Sequence, residues 1–287
     1  MRFIFLLKMY RRTILNPVSL RGVGCFTGDV VNLTLKPAEC GEGVVFRRVG
    51  SNLKNTDIKV SIDSVHDTTL NTKLSNGEYY VYIAEHLLSA IWGFKISDLI
   101  IELDANEIPL FDGSASQFVF AIRSAGVRDF ENSELPVLNV GKNYECFGDK
   151  GSYIKCSPSD GKLIIDYTID YPEKTIGVDR FVFDSSHMSF SEELSCARTF
   201  CTAKELDHRN NITQNWGEYN AIIFHDDKIQ NVDGEQLRYT NEATRHKILD
   251  LIGDLMISSK FINAHFVCYK SGHALNYQML KNILNDL

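Results

Sequence analysis

Alternation of apolar and polar positions marks the first elements of this chain. In residues 29–36, Val31, Leu33 and Leu35 fall on one side, the period of a half-buried strand. Residues 80–94 read as a helix that Gly93 stops, and 99–103 form a short, very apolar strand. Asp112, Gly113 and Ser114 make a turn, after which Ser114 or Ser116 can cap a helix that ends near Gly126. In the second half Leu163, Ile165, Tyr167 and Ile169 alternate with mostly polar neighbours, and 221–224 and 264–269 are strong short strands. Residues 241–258 read as a helix, and Leu275, Met279, Ile283 and Leu287 form one stripe of a last amphipathic helix. Strands and helices mix without a strict β-α-β rhythm, so an α+β fold is expected. The polar stretch 128–136, with Pro136, is the expected linker between an N-terminal domain, 1–127, and a C-terminal domain, 137–287. His86 to Gly93 and His246 to Gly253 have the same spacing with an apolar stripe between, a weak echo of two similar halves.

The helix at 241–258 carries the densest chemistry. His246, Asp250 and Asp254 sit four residues apart, and each such step turns a helix by only about 40°. All three therefore project from one face, while Ile248, Leu251, Ile252 and Leu255 take the opposite face. The second piece is Glu85-His86, whose side chains would point about 100° apart on a helix, so that one can bind a metal while the other addresses water. The third is His273, in a loop after the strand at 264–269, and the fourth is Thr199, a hydroxyl able to donate to an oxyanion. Each piece alone reads as an ordinary surface or core group. No His-Glu-x-x-His pattern occurs, and its inverted form would need His where Tyr82 stands. His66, His187, His208, His225 and His265 have no comparable setting.

Combined, the pieces suggest an amide hydrolase. Two His and one Asp (His86, His246, Asp250) make a three-ligand zinc site with an open position. Glu85 would take a proton from water, and His273 as imidazolium would protonate a leaving amine. Asp254 would hydrogen-bond His273 and favour its charged form, Thr199 would hold an oxyanion, and Lys247 would meet an anionic substrate group.

Composition narrows the setting. The chain has 287 residues, 44% hydrophobic and 23% charged, as in globular proteins that live in water. Its net charge of −7 argues against a general nucleic-acid binder. No apolar run approaches the roughly 20 residues of a membrane span. The apolar start, Phe3 to Leu7, is too short for a signal peptide, and Met9 is a second candidate start. Seven cysteines without a Cys-x-x-Cys pair suggest a reducing cytoplasm rather than a disulfide framework.

Six segments in order, 22–28 (GVGCFTG), 84–90 (AEHLLSA), 107–115 (EIPLFDGSA), 197–200 (ARTF), 245–254 (RHKILDLIGD) and 269–276 (YKSGHALN), give a specific resemblance over nearly the whole chain. The chain resembles the UDP-3-O-acyl-N-acetylglucosamine deacetylase family, the zinc amidases of lipid A synthesis in Gram-negative bacteria. The resemblance implies one zinc (ferrous iron suits the same donors) on His86, His246 and Asp250, with Glu85 as general base and His273, partnered by Asp254, as general acid. It puts Thr199 at the oxyanion and Phe200, Lys247 and Lys270 against the glucosamine nucleotide. It implies two β-α-α-β domains, each with a small insert, packed as a sandwich around the site. The second insert, near 200–231, would shape an apolar passage for the acyl chain. The partner implied is the small-molecule UDP-sugar, with no nucleic acid, membrane span or protein partner. Departures fall at Phe26, where the family usually has His, at Cys201-Thr202, where a Gly is common, and at Asn71, where many relatives have Cys or Gly. The alternative is a non-catalytic or substrate-shifted descendant, which only Phe26 and Cys201-Thr202 support.

Overall fold

The computed structural model describes residues 9–52, 54, 56–210 and 213–287, so the apolar start at 3–7 lies outside the described residues. Its organisation is a mixed α+β fold built on two sheets of matching topology. In the first, the strand order is Val18–Val23, Val30–Pro37, Leu99–Leu103, Val44–Arg48, Asp57–Lys59. Neighbours are antiparallel except Leu99–Leu103 beside Val44–Arg48, which is parallel. In the second, the order is Tyr144–Phe147, Tyr153–Ser157, Phe261–Tyr269, Leu163–Asp170, Val178–Asp184, and again the last strand in sequence is central and parallel to the third. An extra strand, Val137–Asn139, pairs with the start of Phe261–Tyr269.

The helices repeat the plan. Helix α1, Ala84–Gly93, precedes the central strand of the first sheet, and α2, Ser116–Ala125, follows it. After the short helices α3, Phe190–Glu193, and α4, Ala203–Asn210, helix α5, Glu242–Met256, precedes the central strand of the second sheet. Helix α6, His273–Asn285, follows that strand. The echo between His86 and His246 thus belongs to two units of like topology. Each unit carries an insert. Strands Val65–Asp67, Lys73–Ser75 and Tyr80–Val81 form one, and Phe200–Thr202, Ile222–Phe224 and Ile229–Gln230 form the other with α4.

Three local readings change. The helix expected at 80–94 begins only at Ala84, because Ile83 takes a left-handed conformation (φ 60°, ψ 45°) and the aromatic, β-branched run before it is extended. Helix α5 has no solvent face: the His246, Asp250, Asp254 side is as buried as the side of Ile248, Leu251 and Ile252. The last helix stops at Asn285, so Met279 and Ile283 are buried but Leu287 is 71% exposed. At α2 the Ser114 hydroxyl accepts the Ser116 N–H, although Ala115 holds the cap position. The span expected as a linker carries a polar strand, Val127–Glu134, antiparallel to Tyr10–Ile14.

Asp98 ties that terminal ribbon to the first sheet. Its carboxylate is fully buried and accepts from Arg11 Nη2 (2.6 Å), Arg11 Nε (2.9 Å), the Ser97 hydroxyl (2.6 Å) and the N–H groups of Gly41 and Gly43. Burial pushes its pKa up, but these donors outweigh burial and hold it below the usual carboxylate range. The folded value lies below the unfolded one of about 3.9. Asp98 therefore contributes full stability above about pH 4, and that contribution disappears as pH falls through the folded value. Asp98→Asn is expected to cost about 3 kcal/mol at pH 7. The gap to wild type should narrow below pH ~4, as read from urea midpoints. Equal midpoints at pH 7 would show that the pair does not anchor the ribbon.

Candidate metal centre

Helices α1 and α5 lie against one another, and their contact is unusually close. A Cβ on Gly253 would sit 2.1 Å from the carbonyl oxygen of Glu85. Only glycine permits that approach, and it brings the Glu85-His86 turn onto the middle of α5. Gly93, at the matching position of α1, serves a different purpose by admitting the ring of Phe190.

His86, His246 and Asp250 meet at this crossing, all buried, with one potential ligand atom from each within 4.8 Å of the others. The two imidazole rings stand edge-on, centroids 4.9 Å apart. Asp250 Oδ1 lies 3.3 Å from His246 Nε2 and 3.6 Å from His86 Nε2. His246 Nδ1 is 3.0 Å from the Ala197 carbonyl, to which it can only donate, so Nε2 presents a lone pair. Burial drives the His246 pKa down to about 3, which keeps the ring neutral. Burial opposes the charge on Asp250 too, but its polar neighbours, chief among the charged ones the Lys247 ammonium at 2.6 Å, hold the carboxylate well below its usual range. A neutral imidazole lone pair thus faces a charged carboxylate oxygen with no proton between them. A cation relieves that arrangement, and two nitrogens with one oxygen suit zinc. Among the described residues, His86 Nδ1 is buried with no hydrogen-bond partner.

Glu85 and His273 flank the triad. Glu85, 3% exposed, has its pKa raised by burial, against the pull of His273 and His86. His273 opens α6 after Gly272, and its Nδ1 lies 2.9 Å from Asp254 Oδ2 while Nε2 is 4.0 Å from Glu85 Oε1. Burial disfavours its charge, yet Asp254, then Glu85, lift its pKa to about 9. All these groups except Asp254 line a cavity of about 600 Å³, together with Thr199, Phe200, Lys247 and Lys270. The second insert contributes Phe200, Glu205, Thr213 and Trp216 to its wall.

Residues 11–285 match the family model described as UDP-3-O-acyl N-acetylglycosamine deacetylase. The chain belongs to that family. A protein of Aliivibrio fischeri named UDP-3-O-acyl-N-acetylglucosamine deacetylase is 39% identical over 284 residues, covering 96% of this chain and 90% of that protein. One of the same name from Thioalkalivibrio sulfidiphilus is 38% identical over 278 residues, covering 96% and 90%.

The residues given catalytic, metal-binding or substrate roles in the sequence all line the cavity except Asp254, which lies behind His273. Phe200 stands edge-on to His246 with centroids 6.4 Å apart, so it braces a ligand as well as facing the cavity. Lys247 Nζ lies 2.6 Å from Asp250 Oδ2, which commits its charge to the triad. Lys270 is exposed and pairs with Asp170 at 3.4 Å. Phe26 packs on Tyr82 in the cavity wall, centroids 5.3 Å apart, and its N–H donates to buried Glu107. Asn71 Oδ1 accepts the N–H of Ile83 and so holds the left-handed residue that opens α1. Cys201 is buried in the strand Phe200–Thr202.

Three functional supports escaped the sequence. Asn276 donates to Asp254 Oδ2 at 2.8 Å and accepts from Ser271. Its signal was a place one helical turn after His273. Arg198, 1% exposed, grips Glu242 at the start of α5 with Nε at 2.8 Å and Nη2 at 3.1 Å. That pair fixes the main chain whose neighbour, Ala197, receives His246. The third is Thr72, which touches both Glu85 and Asp254.

Proposed function

We propose that this chain hydrolyses the N-acetyl group of UDP-3-O-(3-hydroxyacyl)-N-acetylglucosamine and releases acetate, the committed step of lipid A biosynthesis. The observation that carries the reading is the buried triad His86, His246 and Asp250 with Glu85 and His273 beside it in one cavity. The names of the relatives supply the substrate. The triad would hold zinc, and ferrous iron suits the same donors. Zinc bound there supplies Lewis acidity that polarises an amide carbonyl and acidifies water.

The remaining steps belong to the side chains. Glu85, a carboxylate with raised proton affinity, takes the proton of the attacking water. His273 enters as imidazolium and protonates the departing glucosamine nitrogen, which cannot leave as an anion. Asp254 keeps the imidazole oriented and charged, and the Thr199 hydroxyl donates to the oxyanion. Lys270, at the rim, meets the phosphates. Lys247 contributes chiefly through Asp250, and Phe200 shapes the sugar side of the cavity. The second insert takes the acyl chain. A cytoplasmic location fits seven cysteines that are all free thiols, and among the described residues no helix is long and apolar enough to cross a membrane.

The test is acetate release from the UDP-sugar by chelator-stripped protein titrated with zinc. Activity should return near one equivalent. A folded protein that binds one zinc yet releases no acetate would sink the substrate. A protein that binds none would sink the triad.

A further inference from the structure

Thr72 is not part of any helix that carries the triad. It lies just before the strand Lys73–Ser75, in the first insert, and is 1% exposed. Yet all three of its polar groups are spent on the site. Its carbonyl accepts the Ala84 N–H at 3.3 Å, at the first turn of α1. Its N–H donates to Glu85 Oε2 at 3.1 Å, and its hydroxyl lies 2.6 Å from Asp254 Oδ1. An ionised carboxylate can only accept, so the Thr72 hydroxyl donates its single proton there.

We propose that Thr72 is a positioning residue that sets the proton acceptor Glu85 and the His273–Asp254 pair in one frame, by bridging α1 and α5 from the insert. The inference rests on the deacetylase reading above. Its physical content is the orientation of two carboxylates. With Oδ1 held by Thr72, the Asp254 group is turned so that Oδ2 faces His273 and Asn276. With Oε2 held by the Thr72 N–H, Glu85 is turned so that Oε1 faces His273 Nε2. One residue thus fixes both ends of the imidazole's surroundings. The hydroxyl also draws charge away from the oxygen that Asp254 offers to His273, which tempers the imidazole's hold on its proton.

Thr72→Val keeps the shape and the N–H but removes the hydroxyl, leaving Asp254 Oδ1 buried without that donor. Thr72→Ser keeps the hydroxyl. Two measurements separate this role from simple packing. The first is kcat and KM on the UDP-sugar. The second is the titration of the His273 ring nitrogens by NMR in the metal-free protein. The charged groups that face that ring are Glu85 from α1 and Asp250 and Asp254 from α5.

In Thr72→Val, kcat is expected to fall about 30-fold, the scale of a sub-ångström misplacement, with KM within about threefold. The His273 titration should move upward, because Asp254 now offers it more charge. Thr72→Ser should restore both. If Thr72→Val does not fold, Thr72→Ala reads the same loss with less bulk. An unchanged kcat from an active parent, an unmoved titration, or a Ser variant as impaired as Val would each overturn the proposal. A wild type inactive on the UDP-sugar, together with the upward titration shift, would overturn the deacetylase reading alone and leave the hold of Thr72 on Asp254 standing.

Discussion

Glu85→Gln is expected to lower turnover by about 10³-fold while the protein still takes up one equivalent of zinc. The side chain is 3% exposed, so its carboxylate is not a solvated bystander. Burial raises its affinity for a proton, which is what a base in an amide hydrolase needs. Gln has the same length and can still place its carbonyl oxygen against the Thr72 N–H, which now holds Oε2 at 3.1 Å. Its amide nitrogen then faces His273 and can accept no proton. The ligand atoms of His86, His246 and Asp250 are untouched, so metal content and KM should stay near wild type. Removing a positioned general base usually costs 10²–10⁴-fold, and about 10³ is the middle of that range. Full turnover in a verified zinc-loaded E85Q sample would end the assignment of Glu85 as the base and shift attention to His273.

Much of this site could be read in the sequence because helical spacing is a strict geometric rule. His246, Asp250 and Asp254 repeat every four residues, and no helix can put them on different faces. The resemblance implied the partnership of Asp254 with His273, and the two lie 2.9 Å apart. What escaped were contacts between residues distant in sequence. Thr72 meets Asp254 across 182 positions, and a lone Thr in a loop carries no periodicity that could announce it. The left-handed Ile83 was equally hidden, since a β-branched residue rarely adopts that conformation and nothing local demands it. Its cause is tertiary: Asn71 accepts its N–H while Thr72 accepts that of Ala84. Lys247 lines the cavity, where a contact with an anionic substrate group was expected, and its ammonium also lies on Asp250, the i,i+3 neighbour that helical spacing provides. The matching order of the two sheets left only a His-to-Gly spacing as its trace, because the strands of the two units share topology rather than residues.

The two units of like topology contribute unequally to the site. Both units bring one helix to the centre, but α1 supplies Glu85 and His86 from its first turn, whereas α5 supplies three groups along its length. The first turn of α1 must therefore be registered against the middle of α5. Thr72 performs part of that registration through hydrogen bonds. Gly253 performs the rest through packing.

Gly253→Ala is accordingly expected to lower both stability and turnover, although helix propensity alone predicts the reverse. Ala is favoured over Gly inside a helix by about 1 kcal/mol. Here the added Cβ would meet Glu85 O at 2.1 Å, Glu85 C at 2.7 Å and Glu85 Cα at 2.8 Å. These are backbone atoms, so no rotamer change relieves the clash, and α1 must move away from α5 by about 1 Å. Overpacking of this kind costs roughly 1–3 kcal/mol and occasionally more, which exceeds the propensity gain. The movement carries Glu85 and His86 away from Asp250 and Asp254, and an ångström of misplacement costs about 10²-fold in rate. Gly93→Ala is the control. Its Cβ would meet the Phe190 ring at 2.5 Å, a side chain on α3 that contributes nothing to the triad. That variant should lose stability while its turnover, corrected for folded fraction, stays within about threefold of wild type. Thermal midpoints and kcat for both variants decide the matter. A G253A protein with an unchanged or higher midpoint and full turnover would mean that the α1–α5 contact is looser than 2.1 Å implies and does not set the geometry of the site.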